Sequence, residues 1–234
     1  MRTIFKRRHF ALLLAATWSA ALLPAPAQEE KPKVGWVRLV NAVGPGTGNT
    51  QLKIDGENMY PKGYKLGQRT GGIGMTVGPR KIVVSKEGVE DGTTTLNVED
   101  GETVSLIAFA EKAPADKDKP ERWVTKLLRL KQRDVENGYR LTVISVNLEG
   151  ETLFSYQRET DPKKIPTSVK RLMTTSIDLG NRPAPVSVFL RDQETAAAAF
   201  KPDAKGNYVV VLYQDPDGTV KAVAYFDPKF VIAG

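Results

Sequence analysis

Val37-Arg38-Leu39-Val40-Asn41-Ala42-Val43 is answered further along the chain by Leu141-Thr142-Val143-Ile144-Ser145-Val146-Asn147. Both are short, β-branched apolar runs, and the resemblance does not stop at their ends. Gly48-Asn49-Thr50-Gln51-Leu52-Lys53-Ile54 aligns with Gly150-Glu151-Thr152-Leu153-Phe154-Ser155-Tyr156. Met75-Thr76-Val77-Gly78 aligns with Ile177-Asp178-Leu179-Gly180, and Thr103-Val104 with Tyr208-Val209. The order is kept at an offset of roughly 102 to 105 residues, the signature of an internal repeat. Leu52 and Ile54, like Phe154 and Tyr156, stand two apart and share one face of a strand.

Working outward, the body reads as strands separated by turns. Asp55-Gly56, Asp91-Gly92, Asp100-Gly101 and Asp217-Gly218 are turn dipeptides, because glycine accepts the positive φ of a tight hairpin. Between them lie Val37–Val43, Gln51–Asp55, Lys81–Ser85, Val104–Phe109, Tyr139–Val146, Val186–Leu190, Tyr208–Tyr213 and Val220–Phe226. Such lengths and spacings predict an all-β protein of two tandem immunoglobulin-like sandwiches, about six strands each. The expected boundaries are residues 34–131 and 139–230, with the polar segment 132–138 between them. Trp123–Arg133 and Thr195–Phe200 read equally as strand or short helix. One hairpin differs between the copies. Glu111–Glu121 is long and charged, whereas its counterpart is the tight Gln214-Asp215-Pro216-Asp217-Gly218. A loop grown on one copy is a place to acquire a partner.

The N-terminus reads differently. Arg2, Lys6, Arg7 and Arg8 precede an apolar run from Phe10 to Leu23, and Ala25-Pro26-Ala27 has the small-residue spacing of a cleavage site. Residues 1–27 are therefore expected to be a secretory signal peptide, since about 14 apolar residues fall short of the ~20 needed to span a bilayer. Export to the periplasm or beyond follows, by the general or the twin-arginine route. Cleavage removes four of the basic residues behind the formal charge of +7, so nucleic-acid binding loses its support.

It also removes His9, the only histidine, from a chain without cysteine. Zinc sites of the usual type, Ser-His-Asp and Cys-His nucleophiles and thiol redox chemistry are then excluded. No cofactor or metal is expected. There is no G-x-S-x-G elbow and no S-x-x-K pair, and Ser168 with Lys170 lacks a third group. Asp55, Glu57, Glu90, Asp91, Glu99, Asp100 and Glu102 cluster at turn dipeptides, where capping explains them without a glycosidase pair. Gly71-Gly72-Ile73-Gly74 lacks the Lys-Ser/Thr of a phosphate cradle.

Binding surfaces are the stronger expectation. Arg129, Lys131 and Arg133 alternate, and Lys163, Lys164, Lys170 and Arg171 add positive charge to the second half. They are candidate contacts for an acidic polysaccharide or an acidic protein patch. Trp36 and Trp123 are candidate platforms for stacking on sugar rings.

The opening Trp36-Val37-Arg38-Leu39-Val40-Asn41-Ala42, followed by Leu52-Lys53-Ile54-Asp55-Gly56, resembles a family of exported bacterial β-sandwich domains of unknown function. The second half keeps the strand order but has Thr142 and Ser145 at the positions of Arg38 and Asn41. The layout is also similar to the AlgF family, periplasmic adaptors of alginate O-acetylation. That likeness implies a non-catalytic role bridging envelope proteins, with no catalytic residues to transfer. The expected function is thus a non-catalytic binding or adaptor protein of envelope or exopolysaccharide assembly. The alternatives are a structural envelope component and a carboxylate-dependent polysaccharide enzyme.

Overall fold

A computed structural model describes residues 32–135, 137–191 and 193–228, so the expected signal peptide lies outside the described residues. These contain strands and turns but no helix, hence none long and apolar enough to cross a membrane. The expected all-β class is correct.

The first half carries β1 (Val34–Ala42), β2 (Thr47–Ile54), β3 (Glu57–Asn58), β4 (Ile73–Thr76), β5 (Gly78–Glu87), β6 (Val89–Val98), β7 (Thr103–Ala113) and β8 (Arg122–Lys131). The second carries β9 (Tyr139–Ser145), β10 (Glu151–Arg158), β11 (Ile165–Lys170), β12 (Thr174–Gly180), β13 (Val186–Leu190), β14 (Ala198–Phe200), β15 (Gly206–Gln214) and β16 (Val220–Asp227). Each half has eight strands, two more than expected, because short edge strands such as β3 and β14 carry little apolar signal. Of the two segments of ambiguous sequence, Trp123–Lys131 is strand in β8 and Ala198–Phe200 in β14.

Strand order is the same in both halves. An outer row β3-β2-β5-β6 faces an inner row β8-β7-β1-β4, and β11-β10-β13-β14 faces β16-β15-β9-β12. β1 runs parallel to β7 and β9 parallel to β15, with seven residue pairs in each register. In the first half one bridge, Glu90 to Val124, joins the two rows into a continuous eight-stranded sheet. In the second the rows remain separate four-stranded sheets.

The turn dipeptides behave as read, with one correction. Asp55 and Gly56 both have positive φ (51° and 90°), as a two-residue hairpin of the primed type demands. Asp91-Gly92, expected as a turn, lies inside β6, and the chain reverses instead at Gly88, φ 79°. Gly92 serves a close approach. A Cβ there would stand 2.8 Å from Thr125 Cγ2 and 2.9 Å from its carbonyl oxygen, so only glycine lets β8 come up to β6.

Three apolar layers hold the structure. Val37, Leu39, Leu52, Ile82 and Leu106 fill the first half, and Leu141, Val143, Phe154, Val188 and Val210 the second. A third layer, with Val40, Ile107, Phe109, Ile144, Val209 and Val211, lies between the two inner rows. Successive residues of β1, β7, β9 and β15 point alternately into a half's own core and into this shared one.

Candidate binding site at the pole between the halves

Alternation on β1 puts Arg38 on the shared side. It is 1% exposed, and Nη1 donates to Asp227 Oδ1 of β16 at 2.8 Å, Asp227 being 5% exposed. The guanidinium lies 4.8 Å from the Tyr225 ring centroid, and Arg69 stands on that ring at 5.7 Å. Burial pushes the Asp227 carboxyl up from its ordinary value, while Arg38 pulls it part of the way back. Burial also pushes the Tyr225 hydroxyl up to about 12. Thr142, the counterpart of Arg38, donates to Asn207 Oδ1 at 2.8 Å, and Asn207 in turn supports Asp227. Arg38 and Thr142, which align in sequence, are thus linked through Asp227 and Asn207 in one buried polar cluster. Asn41 acts locally, donating to the Tyr64 carbonyl at 2.9 Å and accepting from Thr50 Oγ1 at 3.1 Å.

At one end of the shared layer, four connections from both halves surround a pocket of about 290 Å³. The first half contributes Ala42, Gly44 and Pro45 from the end of β1, with Ala110, Lys112 and Trp123 from the base of the long hairpin. From the second half come Val146 and Leu148 after β9, and Gln214, Asp215, Pro216 and Gly218 of the tight turn. The backbones meet closely here, for a Cβ on Gly44 would lie 2.7 Å from the Gln214 carbonyl oxygen. Leu148 is 47% exposed and marks the mouth.

Charges around this pocket are already paired. Lys112 Nζ donates to Glu121 Oε1 at 3.2 Å and sits 5.5 Å from the Trp123 ring centroid. Asp215 Oδ2 faces Lys221 Nζ at 3.6 Å. The long loop is ordered by its own bonds. Asp116 accepts from the amides of Asp118 and Lys119 at 3.1 and 2.9 Å, and Glu90 pairs with Arg122 at 2.5 Å and with Lys119 at 3.5 Å. One polar group at the pocket is unmet: Gln214 Nε2 donates to the Gly218 carbonyl at 2.8 Å, while its buried Oε1 has no hydrogen-bond partner.

The candidate cations do not form one surface. Arg129 reaches across the seam of the first half to Thr94 Oγ1 and, at 2.8 Å, to the Thr95 carbonyl. Lys131 faces Glu102 at 3.5 Å. Arg133 crosses to β12, donating to Ser176 Oγ at 2.7 Å. Arg171 ties the halves together through Glu111 and donates to the Asn147 carbonyl at 2.9 Å. Lys163, Lys164 and Lys170 are exposed around β11, with Lys164 Nζ 3.7 Å from the Phe189 centroid. Trp36 is half-buried beside Gly74, and Trp123 packs on the first core and lines the pocket with Lys112 over its ring. Lys112, Leu148 and Gln214 are pocket residues that sequence reasoning missed. The signal was present in the unequal hairpins, but nothing in the chain says that both lie at one pole.

Of the candidate carboxylates, Asp55, Glu90, Asp100 and Glu102 are engaged structurally. The Lys81 amide, donating at 2.8 Å, and after it Arg80 hold the Asp55 carboxyl below the usual range, as Arg122 does for Glu90. Among the described residues no group of three or more acids is placed to hold a metal ion. No protein-family model matches the chain, and no curated protein matches it either.

Proposed function

We propose that this protein is a non-catalytic binding or adaptor module, exported by the leader in residues 1–27, that acts in envelope or exopolysaccharide assembly or modification. Its two halves are copies of an immunoglobulin-like sandwich. The shared strand order and the repeat of the opening strand support that origin. The observation that carries the binding role is the largely apolar pocket built jointly by both halves at the loop that only one of them has enlarged. Loops clustered on a rigid scaffold, at the junction of two packed units, are where ligand sites form. The carboxyls of Asp55, Glu90, Asp116 and Asp161 are depressed, and the raised one, Asp227, is 5% exposed and paired with Arg38, an arrangement that favours a non-catalytic reading because a general acid needs a raised carboxyl open to substrate. The exposed Lys163, Lys164 and Lys170 offer a second surface, suited to an acidic glycan or protein patch.

The test is capture from envelope extracts by tagged protein lacking residues 1–27, with a glycan array in parallel. A partner or glycan held by the wild type and lost in Leu148→Glu, which charges the pocket mouth, is the expected result. If neither approach returns anything above background, the binding role is wrong. The fusion of the halves through a shared core would then favour a structural envelope component.

A further inference from the structure

The outward faces of the two outer rows have diverged. In the first half that face carries Gln51, Lys53, Lys81, Thr93 and Thr95, the polar set of a sheet surface left in water. In the second half Leu153 stands at the repeat position of Gln51 and is 39% exposed. The exposed Pro166 of β11 lies diagonal to it on the same face. Both line a largely apolar groove of about 480 Å³, together with Arg191, Gln193 and Glu194, which follow β13. Lys164 also lines it. Its Nζ donates to the Gln193 carbonyl at 3.3 Å and sits 3.7 Å from the Phe189 ring centroid. The ammonium therefore covers Phe189, which is 8% exposed, but meets no carboxylate. Lys163 beside it is exposed, and neither lysine has an ion-pair partner among the described residues.

Resting on the reading of the protein as a binding module, we infer that this groove takes an extended acidic segment of a partner protein. One bulky apolar side chain of that segment enters the groove, and its carboxylates meet Lys163 and Lys164. Each part of the occupant answers an observation. A largely apolar lining favours burial of an apolar side chain and would leave the hydroxyls of a sugar without partners. Two unpaired ammoniums at the rim are complementary to carboxylates. Glu194 is the one acid among the described residues that line the groove, and its repulsion keeps the partner's acids on the lysine side. An open groove on a sheet face admits a chain that continues past both ends, whereas the flat headgroup layer of a membrane would not enter it.

The experiment is selection of a displayed random peptide library on immobilised protein lacking residues 1–27. Selected peptides are then synthesised and titrated by fluorescence anisotropy at low and high salt. Wild type is compared with Leu153→Gln, the residue of the first half, and with the double variant Lys163→Met and Lys164→Met. Methionine keeps an apolar stem over Phe189, and both variants are checked by circular dichroism. Selected sequences should place Asp or Glu beside a Leu, Ile, Phe or Trp, and their affinity should fall as salt rises. The lysine variant should weaken binding about tenfold and flatten the salt dependence, while Leu153→Gln should weaken it several-fold and leave that dependence intact. No enrichment, enrichment of neutral or basic sequences, or binding that both variants leave unchanged would overturn the inference. So would phosphatidylglycerol vesicles or oligogalacturonate bound by wild type in place of any peptide. In each of these cases, capture of an envelope partner abolished by Leu148→Glu but kept by Leu153→Gln would preserve the binding role at the pole and discard only this groove.

Discussion

Arg38 comes from a motif both halves share in outline, yet its partner, Asp227, lies 189 residues further along the chain. Removing one member of a buried ion pair strands the other charge away from water, which costs more than the pair itself contributes. Arg38→Met should therefore lower stability by about 3–5 kcal/mol, read as a shift in the urea midpoint. The double variant Arg38→Met with Asp227→Leu should recover most of the loss, since apolar packing then replaces the pair. Tyr225, between Arg38 and Arg69, gives a pH prediction. Its hydroxyl titrates near 12 in the folded protein against the ordinary 10, so the contribution is complete below pH 10 and is lost as pH rises toward 12. The wild type should lose up to about 3 kcal/mol over that interval through this group. Tyr64, Tyr208 and Tyr213 are pushed in the same direction by burial, so the difference between wild type and Tyr225→Phe in alkaline urea titrations isolates it. A Tyr225→Phe curve that overlays the wild type would remove Tyr225 from the interface account.

Among the elements, the long hairpin is stiff without being integral. Its ion pairs, Lys112–Glu121, Lys119–Glu90 and Arg122–Asp116, lie at the surface, where each is worth about 0–1 kcal/mol. Replacing residues 114–119 with Asp-Gly should leave the melting temperature within a few degrees of wild type, as followed by circular dichroism. A collapse of stability would mean that the loop supports β6 and β8. Elements also differ in how plainly they were written. β2 and β10 alternate between buried and exposed residues over part of their length, and the buried face was legible from Leu52, Ile54 and Phe154. β6 was not, because Asp91-Gly92 imitates a turn while Gly92 answers a neighbour, Thr125, that only the folded chain brings near. Arg129 and Lys131 stand two apart and exposed on β8, while Arg133 lies past the end of that strand. Each side chain found a local oxygen that lies elsewhere in sequence.

Taken whole, the two halves share a core and should unfold together. Trp36 and Trp123 report on the first half, and backbone resonances of Val143 and Val210 on the second. Urea transitions followed by indole fluorescence and by those resonances should coincide. Phe109→Asp buries a charge in the shared layer and should cost more than about 3 kcal/mol, while two separated transitions in the wild type would show the halves to be independent. The sequence alone determined the strand class, most of the tight turns and the want of thiol, because period-two patterning, glycine dihedrals and composition are local properties. It even carried a trace of the shared core. Val37–Val43, Val104–Ala110, Leu141–Val146 and Tyr208–Tyr213 are nearly unbroken buried runs, as strands covered on both faces must be. Only the tertiary structure decided what covers the second face, that Arg38 meets Asp227, and that unequal hairpins from the two halves enclose one pocket. Those facts depend on which surfaces approach across more than a hundred residues of chain, and no local pattern encodes that distance.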